Sequence, residues 1–251
     1  MKKWPNTVCK GLITLDDALM RTSLQTHQTP KGFLFDMDGL LLDTERLGLK
    51  LFAQICAELD IGPERSDPVF LSLIGGSKAV NSAKVAEFLH GRLDIDGFER
   101  AWVAGKATLL ADAIPLRPYV REVITGLAAQ GTRMVVVTST VGAVARHELD
   151  QAGLLPHFHH VIAGDEVTAN KPDPAPYLQG AAALGLDPKD CAAFEDSDTG
   201  ITAAIRAGCM AVQIPDLRTP NTPLPNLGQR VARDLRHAVE MFGMTVTSKQ
   251  A

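Results

Sequence analysis

Short apolar runs recur along this chain, each closed by polar or turn-forming residues. Residues 32–36 read Gly-Phe-Leu-Phe-Asp, and residues 134–137 end in Thr138-Ser139. Residues 160–163 precede Gly164-Asp165, residues 191–194 end in Glu195-Asp196, and residues 210–214 end in Pro215-Asp216. Apolar runs this short, bounded by turns, read as strands buried on both faces, as in a parallel sheet. Between them the period turns helical. Residues 119–130 place Val120, Val123, Ile124 and Leu127 on one face, with Gly131 as a C-terminal stop. Residues 141–151, 174–184 and 199–207 fill the later gaps, the last closed by Gly208. Strand and helix in alternation, with right-handed crossovers, predict an α/β fold built on a doubly wound parallel sheet.

One gap is too long for that scheme. Asp36 and Thr138 are 102 residues apart, whereas a βαβ crossover needs about 30. Residues 44–59, 77–89 and 96–113 carry helical patterns with no convincing strand among them. A structureless loop of this length is improbable in a compact domain, so an all-helical insertion over 44–115 is expected. It would lie over the strand ends as a lid, leaving 31–43 and 116–251 as the core. Residues 1–30 read as an N-terminal extension, with a short amphipathic piece around 12–20 and a polar run after it.

Composition narrows the class. The chain has 251 residues, 45% apolar and 22% charged, with a formal charge of −4. That is enough to bury a core without disulfide or metal staples. The slight acidity predicts no general attraction to nucleic acid or to an anionic membrane. Aromatics at 5% provide few stacking platforms for single strands. Cys9, Cys56, Cys191 and Cys209 show no ligand spacing, which suits reduced thiols and a cytoplasmic setting. No run of 18 apolar residues predicts a bilayer span. Pro5, Asn6 and Lys10 interrupt any apolar stretch that would make a secretory leader.

Ligands of doubly wound sheets collect at the carboxyl ends of strands, where Asp36, Thr138 and Asp196 all fall. Asp36 and Asp38, two apart at a strand end, share a face until the loop turns. Such a pair suits a nucleophile beside a group that exchanges a proton with a leaving or attacking oxygen. A calcium loop would need oxygen ligands at the fifth and twelfth positions, where Leu40 and Leu47 stand. Thr138-Ser139 brings a hydroxyl and loop N–H groups that can hold a phosphate oxygen. Lys171, within Asn-Lys-Pro-Asp-Pro, brings a cation able to neutralise both the carboxylates and a phosphoryl group. Glu195-Asp196 adds hard oxygen ligands of the kind Mg²⁺ takes. Each element alone has an ordinary explanation as a cap or surface charge; the ordered set of four points to phosphoryl transfer.

The segments FLFDMDGLLLDTE, VVVTST, NKPDPAPY and FEDSDTGITAAIRAG resemble the haloacid dehalogenase-like hydrolase superfamily, from about residue 32 to 215. Within it, the DxDGxxxDT motif is similar to that of the phosphatases and β-phosphoglucomutase-like members with a small helical cap. The resemblance implies a Rossmann-like core. It implies that Asp36 is the nucleophile and becomes an aspartyl phosphate, and that Asp38 is the general acid/base. Thr138, Lys171 and the Ser139 N–H would bind the phosphoryl group. Asp36, Asp38, Asp196 and Glu195 would hold Mg²⁺, Asp38 through its backbone carbonyl. In the cap, Gly75-Gly76-Ser77-Lys78 stands where the family carries a substrate loop, making Gly76 and Lys78 candidate contacts, against a plain helix cap at Ser77.

The carboxyl at Asp38 favours phosphoryl transfer over dehalogenation, because a leaving alkoxide needs a proton. Gly48 stands where β-phosphoglucomutase carries a cap histidine, and Val141-Gly142 stands where it carries Lys-Asn. These departures favour a Mg²⁺-dependent phosphatase of a small phosphorylated metabolite, a sugar or polyol phosphate, over a sugar phosphomutase using the same aspartate. A monomer is expected, with a dimer left open. Residues 146–148, Arg-His-Glu, are read as an exposed helical face.

Overall fold

The computed structural model describes residues 29–111, 113–218 and 221–246. The amphipathic piece expected around 12–20 and the end of the tail lie outside the described residues.

Among the described residues, six parallel strands form one sheet in the order β3-β2-β1-β4-β5-β6. They are β1 (Gly32–Phe35), β2 (Arg133–Val137), β3 (His160–Ile162), β4 (Cys191–Glu195), β5 (Met210–Gln213) and β6 (Arg230–Val231). The first five fall on the apolar runs. β6, a two-residue exposed edge pairing, was not expected, because so short a piece has no period to read. β1 lies between β2 and β4, with Phe35 opposite Val136 on one side and Phe194 on the other.

Side-chain alternation along β1 feeds two separate layers. Phe33 and Phe35 pack with Val123, Ile124 and Leu127 of α5 (Val120–Ala129), Leu149 of α6 (Gly142–Gln151) and Val239 of α9 (Leu235–Glu240). Leu34 faces the other way, into a layer with Tyr177 of α7 (Ala175–Ala183) and Ile201 of α8 (Asp198–Ala207). Gly131 and Gly208 end their helices with φ of 71° and 89°, the left-handed conformation that glycine adopts without a Cβ penalty.

The insertion is helical: α1 (Thr44–Ala57), α2 (Pro63–Leu71), α3 (Lys78–Phe88) and α4 (Ile95–Leu109). Sequence periodicity missed α2, whose Pro68 and polar residues blur the apolar stripe. These helices have their own hydrophobic centre, with the fully buried Phe52 ringed by Phe70, Phe88 and Phe98 at 5.7–6.1 Å between ring centroids. The chain enters and leaves this cap side by side. Leu42 bridges Leu116 in antiparallel fashion, and the Asp43 N–H donates to the Pro115 carbonyl at 2.8 Å. An ionic knot sits on that crossing: Arg46 pairs with Asp43 (2.7 Å) and Asp216 (2.6 Å), and Arg117 pairs with Asp216 (2.8 Å).

Candidate active site

The loop after β1 is folded by its own backbone. The N–H groups of Leu41 and Leu42 both donate to the Met37 carbonyl, and the Gly39 N–H donates to Leu42. Gly39 has φ of 80°, and a Cβ there would stand 2.3 Å from an Asp196 carboxylate oxygen. Only glycine meets both demands. This turn leaves Asp36 buried at the sheet end and lifts Asp38 to the floor of the cavity. Both Asp38 oxygens accept hydroxyl hydrogen bonds, Oδ1 from Thr44 (2.6 Å) and Oδ2 from Thr140 (2.7 Å).

Lys171 arrives from the loop before α7 and is fully engaged. Its ammonium lies 2.5 Å from Asp36 Oδ1 and 2.7 Å from Glu195 Oε1, and it donates to the Val137 carbonyl at 2.9 Å. Glu195 ends β4, where Tyr177 and Ser197 also donate to its carboxylate. Asp36, Glu195 and Asp196 present ligand atoms within 4.8 Å of one another. Thr138 closes β2, its hydroxyl accepting from the Thr140 N–H at 3.0 Å, and the neighbouring Ser139 hydroxyl is buried without a partner among the described residues. Asp36, Asp38, Thr138, Ser139, Lys171 and Asp196 all line one cavity; Glu195 lies immediately behind it.

The charges here are unbalanced. Burial first, and then the neighbouring Glu195, push the Asp36 carboxyl up to about 8. Asp196 is raised well above the carboxylate range by burial and then by Asp36. Burial works against the Lys171 ammonium, yet Asp36 and Glu195 hold it protonated above the ordinary lysine range. Among the described residues, Lys171 is the one cation paired within this group of three buried carboxylates, and it meets only Asp36 and Glu195. An all-oxygen donor set with surplus negative charge fits a hard divalent cation such as Mg²⁺.

The cap closes the other side of this cavity, whose volume is about 630 Å³. Gly75 makes the contact with the core: its carbonyl accepts from Thr199 at 2.8 Å, and a Cβ there would stand 2.3 Å from that hydroxyl. Gly76 and Lys78 line the cavity, but the Lys78 ammonium is paired with Glu99 of the same cap at 3.1 Å, and its side chain is largely exposed. Ser77 stands at the N-terminus of α3 without a capping side-chain bond. Gly48 is overlain by the cap's aromatic cluster, where a Cβ would stand 2.8 Å from Phe70.

Several side chains were not found by sequence reasoning. Thr44 and Thr140 orient Asp38, Tyr177 binds Glu195, and the half-buried Glu45 is pushed up to about 8 by desolvation and then by Asp38. Thr44 and Glu45 stand inside the segment that carries the resemblance, and Thr140 lies two residues past Thr138. Those positions were the available signals. Lys106 of α4 reaches across to Glu148 of α6 at 2.8 Å. The reading of residues 146–148 as an exposed helical face is corrected in part: His147 is exposed and Arg146 partly so, but Glu148 is 4% exposed, covered at the seam between cap and core.

Comparison with known proteins agrees with this geometry. The family described as haloacid dehalogenase-like hydrolase matches residues 33–214. Fructose-1-phosphate phosphatase YqaB of Escherichia coli is 32% identical over 184 residues, covering 73% of this chain and 95% of that protein. Hexitol phosphatase A of the same organism is 29% identical over 191 residues, covering 73% and 82%. In fold, a predicted phosphoglycolate phosphatase from Haemophilus somnus superposes with a TM-score of 0.73 at 23% identity, covering 86% of this chain and 99% of that one. The chain belongs to the haloacid dehalogenase-like hydrolases, as a phosphoric monoester hydrolase of that type.

Proposed function

We propose that this hydrolase is a Mg²⁺-dependent phosphatase of sugar or polyol phosphates that works through an aspartyl phosphate on Asp36. The observation that carries the reading is the placement of Asp36. It is buried at the end of the central strand, paired with Lys171, and next to Asp38 on the floor of a capped cavity.

In the first step an Asp36 carboxylate oxygen attacks phosphorus, the ester P–O bond breaks, and Asp38 gives its proton to the departing alcohol. Thr44 and Thr140 hold the Asp38 carboxyl in the orientation for that transfer. Lys171, the Thr138 hydroxyl and the Ser139 N–H stabilise the charge on the phosphoryl oxygens. In the second step Asp38, now a carboxylate, takes a proton from water as the water oxygen attacks phosphorus. The Asp36–phosphorus link breaks and inorganic phosphate leaves. Mg²⁺, held by Asp36, Asp196, the Asp38 carbonyl and Glu195, would neutralise the carboxylates and the phosphoryl group. The names of the two Escherichia coli relatives, a fructose-1-phosphate and a hexitol phosphatase, support the substrate class.

The test follows free phosphate and product identity over a panel of sugar and polyol phosphates, with and without Mg²⁺, for the wild type and Asp36→Asn. Phosphate release that requires both Mg²⁺ and Asp36 is expected. Release that persists in a folded Asp36→Asn protein sinks the nucleophile. Isomerised ester with little free phosphate replaces the phosphatase with a mutase.

A further inference from the structure

The cap and core are joined above the cavity by an ion pair that the proposed chemistry leaves unused. Glu148 belongs to α6, whose other buried residues are Gly142, Ala145 and Leu149. A carboxylate in such company carries a desolvation cost, and burial raises its pKa before Lys106 pulls it back. Lys106 meets one oxygen, Oε1, at 2.8 Å. The other oxygen, Oε2, is buried and has no hydrogen-bond partner among the described residues. Both residues line the cavity that also holds Asp36 and Asp38.

A buried unpartnered carboxylate oxygen is uncommon in a native fold and asks for a donor. In this arrangement Oε2 is covered, so a donor from the cavity reaches it when the Glu148 carboxylate turns toward the space that the residue lines. A carboxylate oxygen only accepts. The adjacent Lys106 ammonium already gives Glu148 its ionic partner, so a neutral donor such as an O–H suits Oε2.

We propose that Glu148 is a specificity-determining residue, its Oε2 accepting a hydrogen bond from a hydroxyl of the substrate's leaving group while Lys106 holds Oε1. The proposal rests on the phosphatase reading and narrows it: the preferred esters carry a free hydroxyl besides the esterified one. A site built to bind a hydroxyl rejects the analogue lacking it far more strongly than an apolar pocket rejects an added one.

The experiment measures kcat/KM by phosphate release from sorbitol 6-phosphate, fructose 1-phosphate and p-nitrophenyl phosphate, the last carrying no hydroxyl. It compares the wild type with Glu148→Ala, Glu148→Met and Glu148→Gln. The ratio of the better hydroxylated ester to p-nitrophenyl phosphate is expected to fall about tenfold or more in the Ala and Met variants, and less in Gln, whose amide oxygen still accepts. Met keeps the volume, so it decides the outcome by the same criterion if Ala does not fold. A ratio within about twofold of wild type in a folded Ala or Met variant overturns the proposal. So does a wild type that cleaves only p-nitrophenyl phosphate. Undiminished release by Asp36→Asn is a different failure, that of the phosphatase reading itself.

Discussion

The sheet end and the cap use polar groups in opposite ways. Around Asp36 charged side chains are held by one another and by hydroxyls: Lys171 by Asp36 and Glu195, Glu195 by Tyr177 as well, and Asp38 by two threonines. Asp36, Asp38, Glu195 and Thr140 stand on or just after strand ends of the sheet, while Lys171, Tyr177 and Thr44 reach them from neighbouring elements. The cap holds its shape with a phenylalanine cluster and meets the core through separate polar contacts, among them Thr199 to Gly75, Lys106 to Glu148, Thr44 to Asp38 and Arg46 to Asp216. Groups that must hold position within a fraction of an ångström stand on the rigid body. The cavity above them is closed by a body with its own hydrophobic core, which meets the core domain at Lys106 and Glu148.

The contrast can be broken at the sheet end first. Asp36→Asn is expected to lower kcat by about 10⁴-fold or more while near-ultraviolet circular dichroism stays native. A loss below tenfold would mean that the rigid cluster is structural only. Lys171→Met leaves Asp36 and Glu195 without their shared cation and should destabilise the fold by about 3–5 kcal/mol, read by urea denaturation. An unchanged midpoint would show that the carboxylates discharge their strain by protonation instead. Phe52→Ala empties the centre of the cap at a cost of about 3–5 kcal/mol. Amide exchange should then speed up in α1 to α4 and not in β1 or β4; equal loss in both would mean that cap and core unfold as one. The smallest effect belongs to Thr199→Val, which deletes the bond to Gly75, worth about 0.5–1.5 kcal/mol. KM should rise about two- to tenfold with kcat less affected.

Legibility in the sequence follows the same divide. β1, β2, β4 and β5 announce themselves because a strand buried on both faces must be an unbroken apolar run, and the chemistry sits where that run stops. The ordered motifs therefore located Asp36, Asp38, Thr138, Lys171 and Asp196 before any coordinates. The cap was legible as helix but poorly resolved within, since Pro68 interrupts the pattern of α2. Glu148 and Lys106 were out of reach for a different reason. A charged residue inside a helix reads as solvated, and only the approach of two elements far apart in sequence buries it. β6 leaves no local trace because two residues paired at a sheet edge contribute almost no side-chain pattern.

The side-by-side entry and exit of the cap, with Leu42 bridged to Leu116 and Asp43 bonded to Pro115, has a consequence for how such a molecule can change over time. An insertion whose two ends meet across a pair of backbone hydrogen bonds places little geometric demand on its host. The sheet sees the same two-stranded neck whatever hangs from it. Recognition modules of different size can therefore be exchanged, trimmed or enlarged at this neck without moving the nucleophile, so new substrates can be acquired while the old chemistry is inherited intact.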